Sequence, residues 1–134
     1  MDVAILLVDK DLGLLFWLGR ILDHAGYPAF PARNVPDAAA LLAELHLTIS
    51  ALILDCSLPG TEGLIAGLRG SNKYLKAICL GEHGHHACVR GVDAFCPKPV
   101  GFSERSKSEW LKAIREALSA KPSATLIHPT PLPV

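Results

Sequence analysis

The chain has no surplus of charge. Its 13 basic residues balance 13 acidic ones for a formal net charge of zero. No basic stripe or long charged run stands out, which argues against a nucleic-acid or anionic-membrane surface. No apolar run approaches the roughly 18 residues of a membrane-spanning helix. The N-terminal "MDVAILLVDKD" has only a short apolar run flanked by acids, without the basic region of a secretory signal. The four cysteines, Cys56, Cys79, Cys88 and Cys96, show no Cys-x-x-Cys spacing. They read as reduced core or near-core thiols of a cytoplasmic protein rather than a disulfide or metal framework. Internal repeats are lacking too. No glycine-rich, phosphate-cradling loop follows the first apolar run, where "DKDLGLL" stands, and no nucleophile has an evident base beside it. These absences disfavour an enzyme.

What is present is a core. Half of the 134 residues are hydrophobic, enough for one compact domain. "VAILLV" (3–8), "SALILD" (50–55) and "KAICLG" (76–81) are continuous apolar runs, suited to strands buried on both faces. "YPAFPA" (27–32) is a weaker strand that its two prolines confine to a sheet edge, and "VDAFC" (92–96) is a short last one. Between them the period changes. Leu14, Leu18, Ile21, Leu22 and Ala25 fall at helical spacing, with Asp11 placed to cap the start and Gly26 to stop it. Asn34 and Pro36 open a second helix through Leu45, and Leu64, Ile65 and Leu68 mark a third ending near Gly70. A last helix is expected from about Ser106 to Ala120, with a capping box Ser106-x-x-Glu109 and a stripe of Trp110, Leu111, Ile114, Ala117 and Leu118. Residues 1–120 form the domain, and the proline-rich 121–134 is a tail or linker.

Alternating strands and helices, with strands apolar throughout, predict an α/β fold: a doubly wound parallel sheet with helices on both faces. Function in such sheets gathers at the carboxyl ends of the strands. Asp9, Asp55, Gly81 and Lys98 all fall there.

"ILLVDKD", "LILDCSLPGTEG" and "GVDAFCPKP", in this order over roughly residues 3 to 119, resemble the response-regulator receiver domain of two-component signalling. The resemblance implies a flavodoxin-like (βα)5 fold with strand order 2-1-3-4-5. It also implies a phosphorelay module, not an enzyme, with Asp55 as phosphoacceptor for a histidine kinase. Asp9 would belong to the acidic pocket, Lys98 would contact the phosphoryl oxygens, and Asp9, Asp55 and Ser57 would hold a Mg2+ ion. Partners would be proteins, a histidine kinase or an output protein, with neither nucleic acid nor membrane.

Three positions depart from the family pattern. Lys10 replaces the second member of the acidic pair, Gly81 replaces the Ser or Thr after the fourth strand, and Phe95 holds the switching aromatic position without a hydroxyl. Pointing inward at ~5 Å, Lys10 would repel a divalent cation by about 7 kcal/mol at an effective dielectric of ~20. It would otherwise snorkel to water, or pair with Asp9 or Asp55 and occupy the site itself. Phe95 reads as an ordinary core residue. The expectation is an atypical, pseudo-receiver-like module with a weakened Mg2+ site, acting by protein–protein interaction; the alternative is a working phosphoacceptor.

The connection from Gly81 to Lys98 is shorter than the family's, so the helix between the fourth and fifth strands should be shortened or missing. His83, His85, His86 and Cys88 in that stretch are metal-competent, but their crowding suits a solvated polar loop better than a tetrahedral site. Phe16 projects with Arg20 and Asp23 away from the apolar stripe of the first helix, and is a candidate partner contact.

Overall fold

A computed structural model of the chain describes residues 4–81 and 90–119. Five strands, β1 (Ile5–Val8), β2 (Ala29–Ala32), β3 (Ala51–Asp55), β4 (Lys76–Gly81) and β5 (Ala94–Pro97), form one parallel sheet in the order β2-β1-β3-β4-β5. This is the flavodoxin-like arrangement. β1 and β3 are buried at every position, as expected for strands covered on both faces. β2 and β5 lie at the edges, where Pro31 and Pro97 need no inward N–H.

Four helices lie among the described residues: α1 (Leu12–His24), α2 (Val35–Leu45), α3 (Thr61–Ser71) and α4 (Glu104–Ser119). Asp11 caps α1 by accepting from Leu14 N–H, and Gly26 follows the helix at φ 93°, a conformation glycine adopts without strain. Asn34 caps α2 by accepting from Asp37 N–H, with Pro36 in the first turn. Leu6, Val8, Leu52 and Leu54 pack on the α2/α3 side of the sheet, whereas Ile5, Leu7, Ile53 and Ile78 meet Leu18, Leu22, Trp110 and Ile114 on the α1/α4 side.

β1 and β2 each begin two residues later than the sequence reading, at Ile5 and Ala29, and the starts of α4 and β5 differ for identifiable reasons. α4 starts at Glu104 because Ser103, not Ser106, caps it: the Ser103 hydroxyl accepts from Ser106 N–H and its carbonyl from Lys107 N–H. Glu109 pairs with Arg105 at 3.5 Å instead of closing a capping box. β5 starts at Ala94 rather than 92, because Asp93 turns its carboxylate to Arg69 and to the N–H of Ala77. The expected shortening of the helix between β4 and β5 falls largely on residues 82–89, outside those described, as do the histidine cluster, Cys88 and the tail 121–134. No helix among the described residues is long and apolar enough to cross a membrane.

Candidate functional site

β1 and β3 are neighbours in the sheet, so their carboxyl ends deliver Asp9 and Asp55 side by side. Each carboxylate is fixed by the same local device, in which Oδ1 accepts the N–H two residues on: Asp11 N to Asp9 and Ser57 N to Asp55, both at 2.9 Å. Such turns suit aspartate wherever a strand must stop and reverse. Asp55 Oδ1 also accepts the Ser57 hydroxyl at 2.6 Å. The Ser57 hydroxyl is therefore engaged with the acid, which leaves the residue's backbone carbonyl as the group it could offer a metal.

The third member comes from β5. Lys98 N–H donates to the Gly81 carbonyl at 2.7 Å, which continues the β4–β5 pairing and aims the side chain across the strand ends. Lys98 Nζ then stands 3.0 Å from Asp55 Oδ2 and 3.1 Å from Asp9 Oδ2. Only the contact with Asp55 has good hydrogen-bond geometry; Asp9 Oδ2 is buried, close to the ammonium, and lacks a well-aligned donor. One positive charge thus serves two buried carboxylates.

Burial works against ionised Asp55, but the Ser57 hydroxyl and N–H and the Lys98 ammonium outweigh it, and the carboxyl titrates below its ordinary value. Burial likewise opposes charge on Lys98, and Asp55 and Asp9 overcome it, so the ammonium titrates above its ordinary value. Both groups are charged at neutral pH.

The substituted positions are each accounted for. Lys10 is exposed, with no ion pair among the described residues, so it fills neither the inward nor the self-occupying role; its repulsion of a cation is weakened by water. Gly81 contributes backbone only. Phe95 is not a core residue: it is 36% exposed. It pairs with Cys79 in register and shares that residue's α2/α3 face, but β5 is an edge strand and no described helix covers it there. Phe16 is 63% exposed, as its position on α1 implied.

Cys56, Cys79 and Cys96 are buried free thiols. Burial pushes the Cys96 thiol up to about 11, and hydrogen bonding between Cys56 and Cys79 raises the former and lowers the latter. Among the described residues no three His, Cys, Asp or Glu side chains cluster to hold a metal. Asp9 and Asp55 are the carboxylate side chains the site can offer a cation.

A rim of apolar side chains adjoins this site in sequence. Leu12 follows the Asp9–Asp11 turn, and Val100 and Phe102 follow Lys98; all are exposed, Val100 by 89%. Phe102 is held against Trp17 of α1, with ring centroids 5.1 Å apart. The sequence reading missed this rim and the half-buried pair Arg69–Asp93 because neither has a local signature.

No protein-family model matches the chain, and no curated protein matches it in sequence. Solved structures do match in shape. The chemotaxis response regulator CheY4 of Vibrio cholerae superposes with a TM-score of 0.69 at 17% identity, over 87% of this chain and 99% of that one. The receiver domain protein of Methanospirillum hungatei gives 0.66 at 23% identity, over 88% and 94%. The signal receiver domain of an HD domain-containing protein from Pseudomonas fluorescens gives 0.66 at 24%, over 87% of each chain. With its strand order, its paired aspartates and the lysine closing over them, the chain has the fold of the response-regulator receiver domains.

Proposed function

We propose that this protein is a receiver-type signalling module in a two-component phosphorelay whose Mg2+-dependent phosphorylation on Asp55 is impaired, and which acts through binding another protein. The observation that carries this reading is Lys10, an exposed cation on the rim where a second acid would complete a metal pair, beside the Lys98 ammonium already set between Asp9 and Asp55.

Phosphoryl transfer to a carboxylate needs the charge on the phosphoryl oxygens neutralised and the nucleophile held in line. Magnesium binds through one or two carboxylates plus waters and phosphate oxygens. Asp9 Oδ2 and Asp55 Oδ2 are the donors that fit it, and the poorly satisfied Asp9 oxygen is the better placed of the two. When bound, the ion would supply charge neutralisation beside Asp55. In this chain Lys98 already supplies part of that charge and competes for the same two oxygens. Gly81 offers no hydroxyl to draw towards a phosphoryl group, and Phe95 is already partly exposed. Phosphate therefore has little to switch. The exposed Leu12, Phe16, Val100 and Phe102 offer a partner protein an apolar surface beside the site.

The test is intact-mass and acid-labile phosphate analysis after incubation with a small acyl phosphate and magnesium. Wild type should gain a phosphoryl group slowly and incompletely, Asp55→Asn not at all, and Lys10→Asp faster than wild type. Rapid stoichiometric modification of wild type, equal to that of Lys10→Asp, would overturn impairment and leave a fully working phosphoacceptor fed by a histidine kinase.

A further inference from the structure

Between α2 and α3 lies a cavity of about 720 Å3, walled by Val35, Leu42, Ile49, Leu64 and Leu68. That volume is in the range of small-ligand and peptide sites. None of its lining residues is Asp, Glu, Lys or Arg. Gly63 and Gly67 stand one helical turn apart along it, and a Cβ added at either would meet nothing within 4 Å. Each glycine inside a helix costs about 1 kcal/mol relative to alanine. No packing within the described chain repays that cost. The bare backbone of α3 instead leaves room for a chain to lie along it.

We infer that the occupant is the chain's own C-terminal segment, residues 122–134. Three observations favour it. "PSATLIHPTPLPV" carries no Asp, Glu, Lys or Arg, and its Leu126, Ile127 and Leu132 match an uncharged apolar groove. Its four prolines favour an extended form that loses little entropy on docking. Its starting point is also suitable. In a parallel sheet each connecting helix runs back against the strands, so α2, α3 and α4 all end at the edge where the strands begin. The groove's lining reaches that edge at Thr48 and Ser71, with the corner held by Asn72 Nδ2 donating to the Ile49 carbonyl at 3.1 Å. α4 ends there at Ser119 on the opposite face. Fifteen residues extend to roughly 50 Å, whereas five strands at about 4.8 Å spacing make a sheet only roughly 20 Å wide. The tail reaches the groove with length to spare.

Methyl-labelled protein spanning residues 1–134 tests this by nuclear Overhauser contacts, with Gly67→Met as the groove-filling variant. Residue 67 is exposed and helical, so methionine fits the fold and raises helix propensity. The expected result is contacts from Leu126, Ile127 and Leu132 to Leu42, Leu64 and Leu68, independent of protein concentration. Gly67→Met should abolish these while the contacts among Leu18, Leu22 and Ile114 persist. Tail methyls without groove contacts overturn the inference. So do contacts seen only between differently labelled molecules, which would make a second copy the occupant, and contacts that Gly67→Met leaves unchanged.

Discussion

Two buried acid–base clusters in this molecule differ in their stoichiometry. On the α3 side, Asp93 has its own cation: Arg69 Nη2 lies 2.6 Å from Oδ2, and the same oxygen accepts Ala77 N–H at 2.7 Å. The arrangement ties the start of β5 to β4 and α3, and Arg69 also reaches the Leu75 carbonyl. At the carboxyl ends of the strands, two carboxylates share Lys98, and one oxygen of Asp9 is left without a hydrogen bond. The first cluster is balanced and serves as a staple. The second is one charge short of balance, and that deficit is what a phosphoryl site with a cation could use.

Removing the cation from each cluster should sharpen the contrast. Lys98→Met leaves two neighbouring carboxylates in a buried pocket, and breaking such a pair by removing one partner costs about 4 kcal/mol. Urea unfolding should show that loss at pH 7 and partial recovery towards pH 5, as one carboxyl takes up a proton in place of the lost cation. A loss below 1 kcal/mol would mean that water, not Lys98, neutralises the site. Arg69→Met removes the cation from a single carboxylate that keeps the Ala77 N–H, so the expected loss is smaller, about 3 kcal/mol. Hydrogen exchange should then localise the damage to β5 and the end of α3, leaving β1 protected.

A third effect concerns only the charge-deficient cluster. Lys10→Asp adds a carboxylate at its rim and should raise magnesium affinity at least tenfold, about 1.4 kcal/mol. Calorimetric titration of the two proteins checks it. An unchanged affinity would show that residue 10 is too far out in solvent to matter and that Lys98 alone sets the affinity.

The contrast also explains what could be read in advance. The parallel sheet, the edge position of the proline-bearing strand, the Asp11 and Asn34 caps and the convergence of Asp9, Asp55 and Lys98 follow from local periodicity and from the geometry of a parallel sheet, whereas the strand order is legible only through the resemblance to receiver domains. Arg69 and Asp93 are 24 residues apart. Nothing in either neighbourhood marks them as partners, and without that pair the start of β5 was placed two residues early. The orientation of Lys10 was equally hidden, because a long side chain at a strand end can turn inward or outward with no difference in the sequence. Phe95 was misjudged for a related reason. An aromatic in an apolar run predicts burial, but burial on an edge strand depends on whether another element covers it.

The smallest effect separates the two charges inside the strand-end cluster. Asp55 titrates below its ordinary value, so its ionised form adds stability that is fully present above the unfolded value of about 3.9 and is lost as pH falls through the lower folded value. Lys98 titrates above its ordinary value, so its contribution is complete below about 10.4 and is lost as pH rises through the higher folded value. The stability difference between wild type and Asp55→Asn should therefore stay level between about pH 5 and 9, then shrink below about pH 4. The size of the plateau reflects two opposing changes: asparagine gives up the charged contact with Lys98, while Asp9 gains the whole ammonium. That near-cancellation should hold the plateau to about 1 kcal/mol. Urea titrations at pH 3, 7 and 9 decide the matter. A difference that instead grows on acidification would mean that Asp55 is held in its protonated form in the folded protein, and the cluster would then be balanced like the staple.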